Sequence, residues 1–585
     1  MEASLRDFLS ASGIRAVFLE FCKAGKTLNH TDERLAAHLA EALRDFMHTR
    51  GDALVTKNKH APMMYFYSSD CTSYKCGSMV RSQGNEATVV IRRGKILEEF
   101  LMQRGFVEVL TAGGQKKVAV LPGVPRSMGL GKKTSNLFMA STTFHSDARL
   151  SGHTGMHIMF FCADRAVFGS MERCFKQRRE LMYSEEHSPF GEDRDTLAAS
   201  DFYYGVGCAS HDAANAVRWG LSDTMVHSEV LKNLHVSIES LRNSLPTLHQ
   251  EIGQFLIAHL DFKDPEDPDD VRQFWSAMGV EVTWLDLVCE LDPEWKDGQL
   301  LVCGSDKEGG DIIAKVSTMI LYLWRWKKFV ETRWATIGPA CRALMISVFV
   351  GLEEVAERAM KNPNSSNYFL NGIKHLDAAT RQYAVVASIA AYPADIFQLA
   401  ILEDDRLGRQ SEYVQNVLRD EVLWVESLGD LTWERLASML REPHEMTHVE
   451  LRSAVLRCIY ISFAYIDHKI LKVLNSEPWS LIRGASIAAN LRVLLEEGYE
   501  GPDGFTQQLL SLLRVGYDID RAADGLSLLL DAPWTSVSVE QAHGSMGTLH
   551  RQHPEVGGDL LAHRSMLHQC RALFNPSEED KTRAR

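Results

Sequence analysis

The sequence predicts a mixed α/β fold in which helices dominate, and two observations support this prediction. Between residues 60 and 225, short apolar or β-branched runs that end in polar residues or glycine alternate with stretches of helical apolar spacing. From Ser237 to about residue 530, apolar residues recur almost throughout at the i, i+3, i+4 spacing of helices. We therefore expect an α/β region, a long all-α region and a C-terminal return.

Four runs in the α/β region are predicted to be strands, because each is apolar or β-branched and ends at glycine or polar residues. They are APMMYFYSSD (61–70), EATVVIRRG (86–94), the start of GMHIMFFCADRAVF (155–168) and DFYYGVGCAS (201–210). The stretch ILEEFLMQRGFVEVL (96–110) has helical spacing and is predicted to be a helix, as are residues 5–50 and the residues from Ala213.

These patterns divide the chain into five predicted segments. They are an N-terminal helical segment (1–58), the first part of an α/β core (59–225), a helical insertion (226–529), a C-terminal return to the core (530–575) and a disordered tail (576–585).

Composition limits the classes of function. The net charge of −14 gives no overall positive field that would attract nucleic acid or an anionic membrane. The stretch from Val109 to Ser146, however, contains lysine and arginine but no acidic residue, which is typical of a basic loop. The 11 cysteines are scattered, as in reduced intracellular proteins. No uncharged apolar run approaches the ~20 residues that a membrane span needs, so we expect an intracellular protein without a membrane partner.

Two short Cys and His spacings could contribute to a zinc site. Cys71 and Cys76 are separated by four residues, and Cys208 and His211 by two. Zn²⁺ prefers thiolate and imidazole ligands at such spacings. The two pairs are far apart in sequence, and a buried thiol beside a hydrogen-bonded histidine is more common, so a structural zinc is not expected.

Carboxylates at strand ends form a second candidate site. Asp70 ends one predicted strand, Asp212 follows another, and Glu540 lies at the start of a predicted helix. Converging carboxylates can hold two divalent ions that activate water and stabilise the leaving oxygen of a phosphodiester, and their hard oxygens suit Mg²⁺ or Mn²⁺. The alternative for Asp212 is that it caps the helix that follows it.

Four segments resemble motifs of the hAT-superfamily transposases. CASHDAANAVR (208–218) resembles their C-x-x-H-x-L-N-L-x-V-K segment, and TRWAT (332–336) matches T-R-W-x-S. TSVSVEQAHGSM (535–546) resembles S-x-x-x-E-R-x-F-S, and SSDCTS (68–73) is similar to D-G-W-T-S. The chain is also similar to dinoflagellate proteins that carry the same landmarks, a likeness that implies no function.

The resemblance implies an RNase H-like α/β core interrupted by a large all-α insertion. It implies that Asp70, Asp212 and Glu540 are the catalytic metal ligands, for Mg²⁺ or Mn²⁺. Because the family's second aspartate normally precedes the C-x-x-H segment, Asp201, Asp195 and Asp164 are alternatives to Asp212. Cys208, His211 and Asn215 would be structural residues of that segment.

The resemblance also implies contacts with DNA. Trp334 would stack on an exposed base, with packing in a helical core as the alternative. The predicted DNA-binding residues are Arg92, Arg93, Lys95, Lys132, Lys133, Arg333 and Trp334.

A second hypothesis belongs to a different functional class. Gln541, Ala542, His543 and Gly544 replace the R-x-F-S that follows the family glutamate. The chain could therefore be a catalytically inactive, transposase-derived protein that binds protein partners through its acidic helical region. We expect a nuclear protein if it associates with DNA and a cytoplasmic one otherwise; a homo-oligomer is compatible with both hypotheses.

Overall fold

A computed structural model gives the fold of most of the chain. It describes residues 51–83, 88–122, 126–129, 149–222, 229–243, 334–349, 371–482, 486–499, 504–552 and 557–573. The predicted helices of residues 5–50 lie outside these ranges. The described part is mixed α/β, is dominated by helices and contains a mixed, open sheet.

The strands and helices are numbered in chain order. The strands are β1 (Met63–Gln83), β2 (Thr88–Leu110), β3 (Lys116–Pro122), β4 (Arg126–Gly129), β5 (His157–Ala163) and β6 (Asp201–Gly207). The longer helices are α1 (Arg165–Met182), α2 (Arg194–Ala199), α3 (Ala209–Ser222), α4 (Ile337–Phe349), α5 (Ala378–Ala390), α6 (Tyr392–Glu403), α7 (Leu407–Glu426), α8 (Asp430–Ala437), α9 (His448–Ile466), α10 (Ile487–Glu497), α11 (Phe505–Arg514), α12 (Ile519–Ser527), α13 (Val537–Gln552) and α14 (Gly558–Leu573).

The chain divides into two compact units. The first comprises Met1–Cys208, Asp405–Gln410 and Val473–Arg585, and the second comprises Ala209–Asp404 and Ser411–Lys472. The first unit therefore contains the whole sheet together with the helices from α10 onward. Most of these helices fall in the segment 226–529 that the sequence assigns to the insertion.

The sheet of the first unit has the strand order β3-β2-β1-β5-β6, with β4 paired to β2. β1, β2 and β3 form an antiparallel meander, whereas β5 runs parallel to β1 and β6 parallel to β5. The helix α1 follows β5 directly, so β5 and α1 form the beginning of a crossover. The strands predicted at 61–70, at 86–94, at the start of 155–168 and at 201–210 are confirmed in their described residues. The prediction that the first strand ends at Asp70 is wrong, because β1 continues to Gln83 and Asp70 pairs with Met102 inside it.

The helix predicted for residues 96–110 is wrong, because this stretch is the second half of β2. Residues 96–109 pair with β1 without interruption, from Met63 opposite Val109 to Cys76 opposite Ile96. Leu101, Val107 and Val109 are buried on one face of the sheet, and Phe100 and Met102 on the other. A strand buried on both faces is apolar nearly throughout, so its spacing does not distinguish it from a helix.

Each face of this sheet carries its own hydrophobic core. On one face, Tyr65 and Tyr67 of β1 pack with Phe161 of β5 and with the buried side of α1, including Met171 and Phe175. On the opposite face, residues of α13 and α14 pack against β1 and β2. That cluster contains Cys76, Phe100, Met102, Val539, Ala542, Met546, Leu560, Leu561, Ala562 and Met566.

The second unit is all-α in its described residues. The helix α3 packs against α6 and α9, and Ser462 of α9 donates a hydrogen bond to the carbonyl of Ala216 at 2.9 Å. Gly220 permits this close approach, because a Cβ there would lie 2.1 Å from the Ser462 hydroxyl. A buried ion pair, Arg342 with Asp395 at 2.8 Å, joins α4 to α6.

No single helix among the described residues has both the length and the apolar composition to cross a membrane. The pair α5 and α6, bent by 46° at their junction, meets these criteria only when the two are taken together.

Candidate functional site

Asp70 lies on the central strand β1, on the face that α13 covers. Its side chain is 11% exposed. Its Oδ1 accepts a hydrogen bond of 2.7 Å from the backbone N–H of Cys71, and its Oδ2 lies 3.3 Å from Nδ1 of His543. The predicted catalytic aspartate is thus a buried carboxylate with a fixed orientation.

His543 reaches this position because α13 is anchored to the sheet on both sides of it. Ala542 and Met546 are buried in the cluster with Phe100 of β2. The hydroxyl of Tyr74 on β1 donates a hydrogen bond of 3.0 Å to the carbonyl of His543. The His543 side chain is 9% exposed, and its Nε2 is buried without a hydrogen-bond partner among the described residues.

Asp164 lies at the same level of the sheet as Asp70. The parallel register between β1 and β5 ends with Ser69 opposite Ala163, so Asp70 and Asp164 are the next residues of the two neighbouring strands. Adjacent strands are about 4.8 Å apart, so the two backbones are close. Asp164 is also the N-cap of α1, where its Oδ1 accepts a hydrogen bond of 3.3 Å from the N–H of Ala166.

Strand alternation places Asp70 on the face that α13 covers. Phe66 of β1 and Phe160 of β5 share a face, because their ring centroids are 5.7 Å apart. Asp70 lies four residues after Phe66 within β1, and four is an even number of steps, so alternation returns it to that face. Asp164 follows the end of β5 and is the N-cap of α1, so this alternation does not extend to its side chain.

Cys208 and Glu540 also lie in the first unit, close to each other. Cys208 follows β6 directly and is fully buried, and its Sγ accepts a hydrogen bond of 3.2 Å from the N–H of Ser536, just before α13. Glu540 is half-buried in the first turn of α13. Cys208 and Glu540 each offer one ligand atom, and these two atoms lie within 4.8 Å of each other. His211 lies in the first turn of α3, in the second unit. Cys71 and Cys76 of β1 do not belong to the Cys208–Glu540 pair.

Asp212 lies inside the first turn of α3 and is 1% exposed. The helix begins at Ala209, not at Ala213, so the N-cap position precedes Ala209 and Asp212 is not the N-cap residue. The interpretation of Asp212 as a helix cap is therefore wrong. Asn215 is half-buried on the same helix.

The other two alternative aspartates lie away from Asp70 and Asp164. Asp201 begins β6 and contacts Nδ1 of His157 at 2.6 Å. Burial alone would raise the pKa of Asp201, but the charge and hydrogen bond of His157 and the charge of Arg149 lower it. Asp195 is exposed on α2, where its hydrogen bond from Arg194 lowers its pKa.

The structure describes only part of the predicted DNA-binding set. Arg92, Arg93 and Lys95 lie on β2, and Trp334 begins a 3-10 turn that ends at Thr336; only the backbone of these residues is described. Lys132, Lys133 and Arg333 lie outside the described residues.

Sequence reasoning did not assign a role to His543. A signal was present, because the spacing Glu540-x-x-His543 places two potential ligands one turn apart on a helix. Asp164 was only one of three alternatives, yet its position after the apolar FFCA and before a helix is typical of a residue at a strand end.

The comparisons with known proteins identify no relative: no family model matches the chain, and no curated protein is significantly similar to it.

Proposed function

We propose that this protein cleaves phosphodiester bonds of DNA with the help of divalent metal ions, as a member or derivative of the hAT-like transposases. The observation that carries the proposal is the parallel register of β1 and β5, in which Asp70 and Asp164 are the residues that follow the last pair, Ser69 opposite Ala163. Glu540, on a helix that packs on the same sheet, is the third carboxylate. Asp164 thereby takes the role that the sequence motifs assign first to Asp212.

The sheet order supports an RNase H-like core. An antiparallel meander β3-β2-β1, continued by the parallel strands β5 and β6, is the arrangement that such a core has. The proposed carboxylates also follow the expected order along the chain, with the helical second unit placed between Asp164 and Glu540.

The donor atoms fit a divalent metal. Carboxylate oxygens of Asp70, Asp164 and Glu540 suit Mg²⁺ or Mn²⁺, whereas the thiolate of Cys208, near Glu540, suits Zn²⁺. When bound, such ions lower the pKa of a water molecule and stabilise charge on the phosphate.

Hydrogen bonds within the chain hold the carboxylates of Asp70 and Asp164 in place. The N–H of Cys71 fixes the Asp70 carboxylate, and the N-cap bond orients Asp164. Both carboxylates are thus held before substrate arrives, which limits the reorganisation that catalysis needs.

Nicking of supercoiled plasmid DNA tests this function. The full chain should nick the plasmid with Mn²⁺ or Mg²⁺ and not with EDTA, and Asp70→Asn and Glu540→Gln should each reduce the rate at least ~100-fold, as expected when a ligand of a catalytic ion is removed. Asp195→Asn is the matched control, because Asp195 is an exposed acid of the same unit, and it should keep the wild-type rate. Equal nicking rates in Asp70→Asn, Glu540→Gln and Asp195→Asn would refute the assignment of Asp70 and Glu540 as metal ligands.

The inactive, protein-binding alternative is favoured by one observation. Asp70 is nine-tenths buried against His543, which lies in the part of the motif that departs from the family. On this alternative the Asp70–His543 pair only fastens α13 to the sheet, and the purified chain nicks no DNA with any of these ions.

A further inference from the structure

We propose that His543 is a metal ligand through Nε2, in a site that takes a divalent cation able to bind imidazole, such as Mn²⁺ or Zn²⁺. The proposal deepens the proposed function and rests on it for the role of the site. Its test is metal binding, which does not depend on cleavage.

The contact with Asp70 sets the orientation and the tautomer of the ring. Nδ1 of His543 lies 3.3 Å from Oδ2 of Asp70, and an ionised carboxylate has only acceptor oxygens. The carboxylate therefore favours a proton on Nδ1, which leaves the lone pair on Nε2. Histidines that bind metals usually direct their other ring nitrogen at a carboxylate or carbonyl in this way.

The state of Nε2 is the second, independent observation. This atom is buried, and it has no hydrogen-bond partner among the described residues. Buried polar atoms without partners are uncommon in folded proteins, and each one requires an explanation. A cation bound to Nε2 would use its lone pair, so this buried atom would then have a partner.

Further donors lie on the same helix and the same sheet. Glu540 precedes His543 by three residues on α13, and side chains at this spacing are neighbours on one helix face. The Glu-x-x-His pair is also the spacing by which helices supply ligands to carboxylate-bridged metal centres. Cys208 Sγ lies within 4.8 Å of a Glu540 oxygen.

The imidazole determines the class of cation. Mg²⁺ and Ca²⁺ are bound by oxygen atoms, whereas Mn²⁺, Zn²⁺ and Co²⁺ accept nitrogen ligands.

The test is titration of the full chain with Co²⁺, followed by visible absorption, and with Zn²⁺, followed by calorimetry. The first variant is His543→Asn, whose amide N–H can still meet Asp70 but which has no atom at the position of Nε2. The control is His550→Gln on the same helix, because Nε2 of His550 already contacts the carbonyl of Lys75 at 2.9 Å.

We expect His543→Asn to weaken Co²⁺ binding at least ~10-fold and Asp70→Asn to weaken it ~10- to 100-fold, the range for removal of a group that orients a ligand. His550→Gln should bind as the wild type does. Wild-type affinity in His543→Asn, or no binding by the wild-type protein, would overturn the proposal. So would binding that Cys208→Ser abolishes and His543→Asn leaves intact.

Two controls separate the possible failures. Circular dichroism establishes that each variant is folded; if His543→Asn is not, His543→Gln replaces it with the same expectation. Co²⁺ binding that depends on His543 in a protein that nicks no plasmid would uphold this site and refute the proposed function.

Discussion

The stability of the first unit should fall between pH 7 and pH 5 because of one buried histidine, His153. Nδ1 of His153 lies 3.4 Å from a guanidinium nitrogen of Arg149, and its Nε2 lies 2.8 Å from the carbonyl of Ala61. These contacts fit the neutral ring, with its proton on Nε2. Burial lowers the pKa of His153 to about 3, and the positive charge of Arg149 acts in the same direction.

The sign of the effect follows from proton binding. The unfolded chain binds a proton at this histidine below its ordinary pKa of 6.5, whereas the folded chain does so only near pH 3. The contribution of neutral His153 to the free energy of unfolding is therefore fully present above about pH 6.5, and it is lost as the pH falls toward 3. Linkage over this interval gives a loss of about 2 kcal/mol between pH 7 and pH 5.

The assay is urea unfolding at several pH values, for the wild-type protein and for His153→Gln. The glutamine can still donate an N–H toward Ala61 but does not titrate, so the difference between the two proteins isolates His153 from other groups. We expect the wild type to lose about 2 kcal/mol more than the variant between pH 7 and pH 5. Parallel pH dependences for the two proteins would refute the reasoning.

Three further predictions concern packing, buried charge and DNA binding. In the sheet, Gly205→Ala should destabilise by ~1–3 kcal/mol in thermal unfolding, because its Cβ would lie 1.8 Å from the ring of Phe161; an unchanged Tm would contradict this packing. In the second unit, Asp395→Ala should cost ~3–5 kcal/mol by leaving Arg342 buried without its carboxylate. The control is Asp430→Ala, which removes an exposed carboxylate and should change stability by less than ~0.5 kcal/mol. Equal losses of stability in Asp395→Ala and Asp430→Ala would contradict the buried character of the Arg342–Asp395 pair. If β2 binds DNA, replacing Arg92, Arg93 and Lys95 by glutamine should reduce the slope of log affinity against log salt by about 0.9 for each phosphate that is no longer neutralised; an unchanged slope would exclude these residues.

The strands next to helices and the first half of β2 were predictable from local patterns, whereas the second half of β2 was not. The runs at β5 and β6 are short and apolar, and glycine or a helix follows them, so local patterns suffice. Residues 96–110 become a strand through pairing with β1 on one side and β3 on the other, and those partners are contributed by other parts of the chain. Tertiary context overrides local propensity there.

The candidate site was predictable as a set of residue types but not as a set of neighbours. Asp70 and Glu540 could be named from the sequence because they lie at the ends of recognisable patterns. The proximity of Asp164 to Asp70 depends on which strands are parallel neighbours, and the contact of His543 with Asp70 joins residues 473 positions apart. Neither relation leaves a local signal in the chain.

The role of Asp164 tests the central claim most directly. The measurement is the rate of Mn²⁺-dependent plasmid nicking by the full chain carrying Asp164→Asn, beside the wild-type protein. Asparagine caps a helix as well as aspartate does, so α1 should keep its N-terminus while the carboxylate charge is removed. The account predicts a folded protein whose nicking rate falls at least ~100-fold, as expected for removal of a ligand to a catalytic ion. A wild-type nicking rate in Asp164→Asn would contradict it.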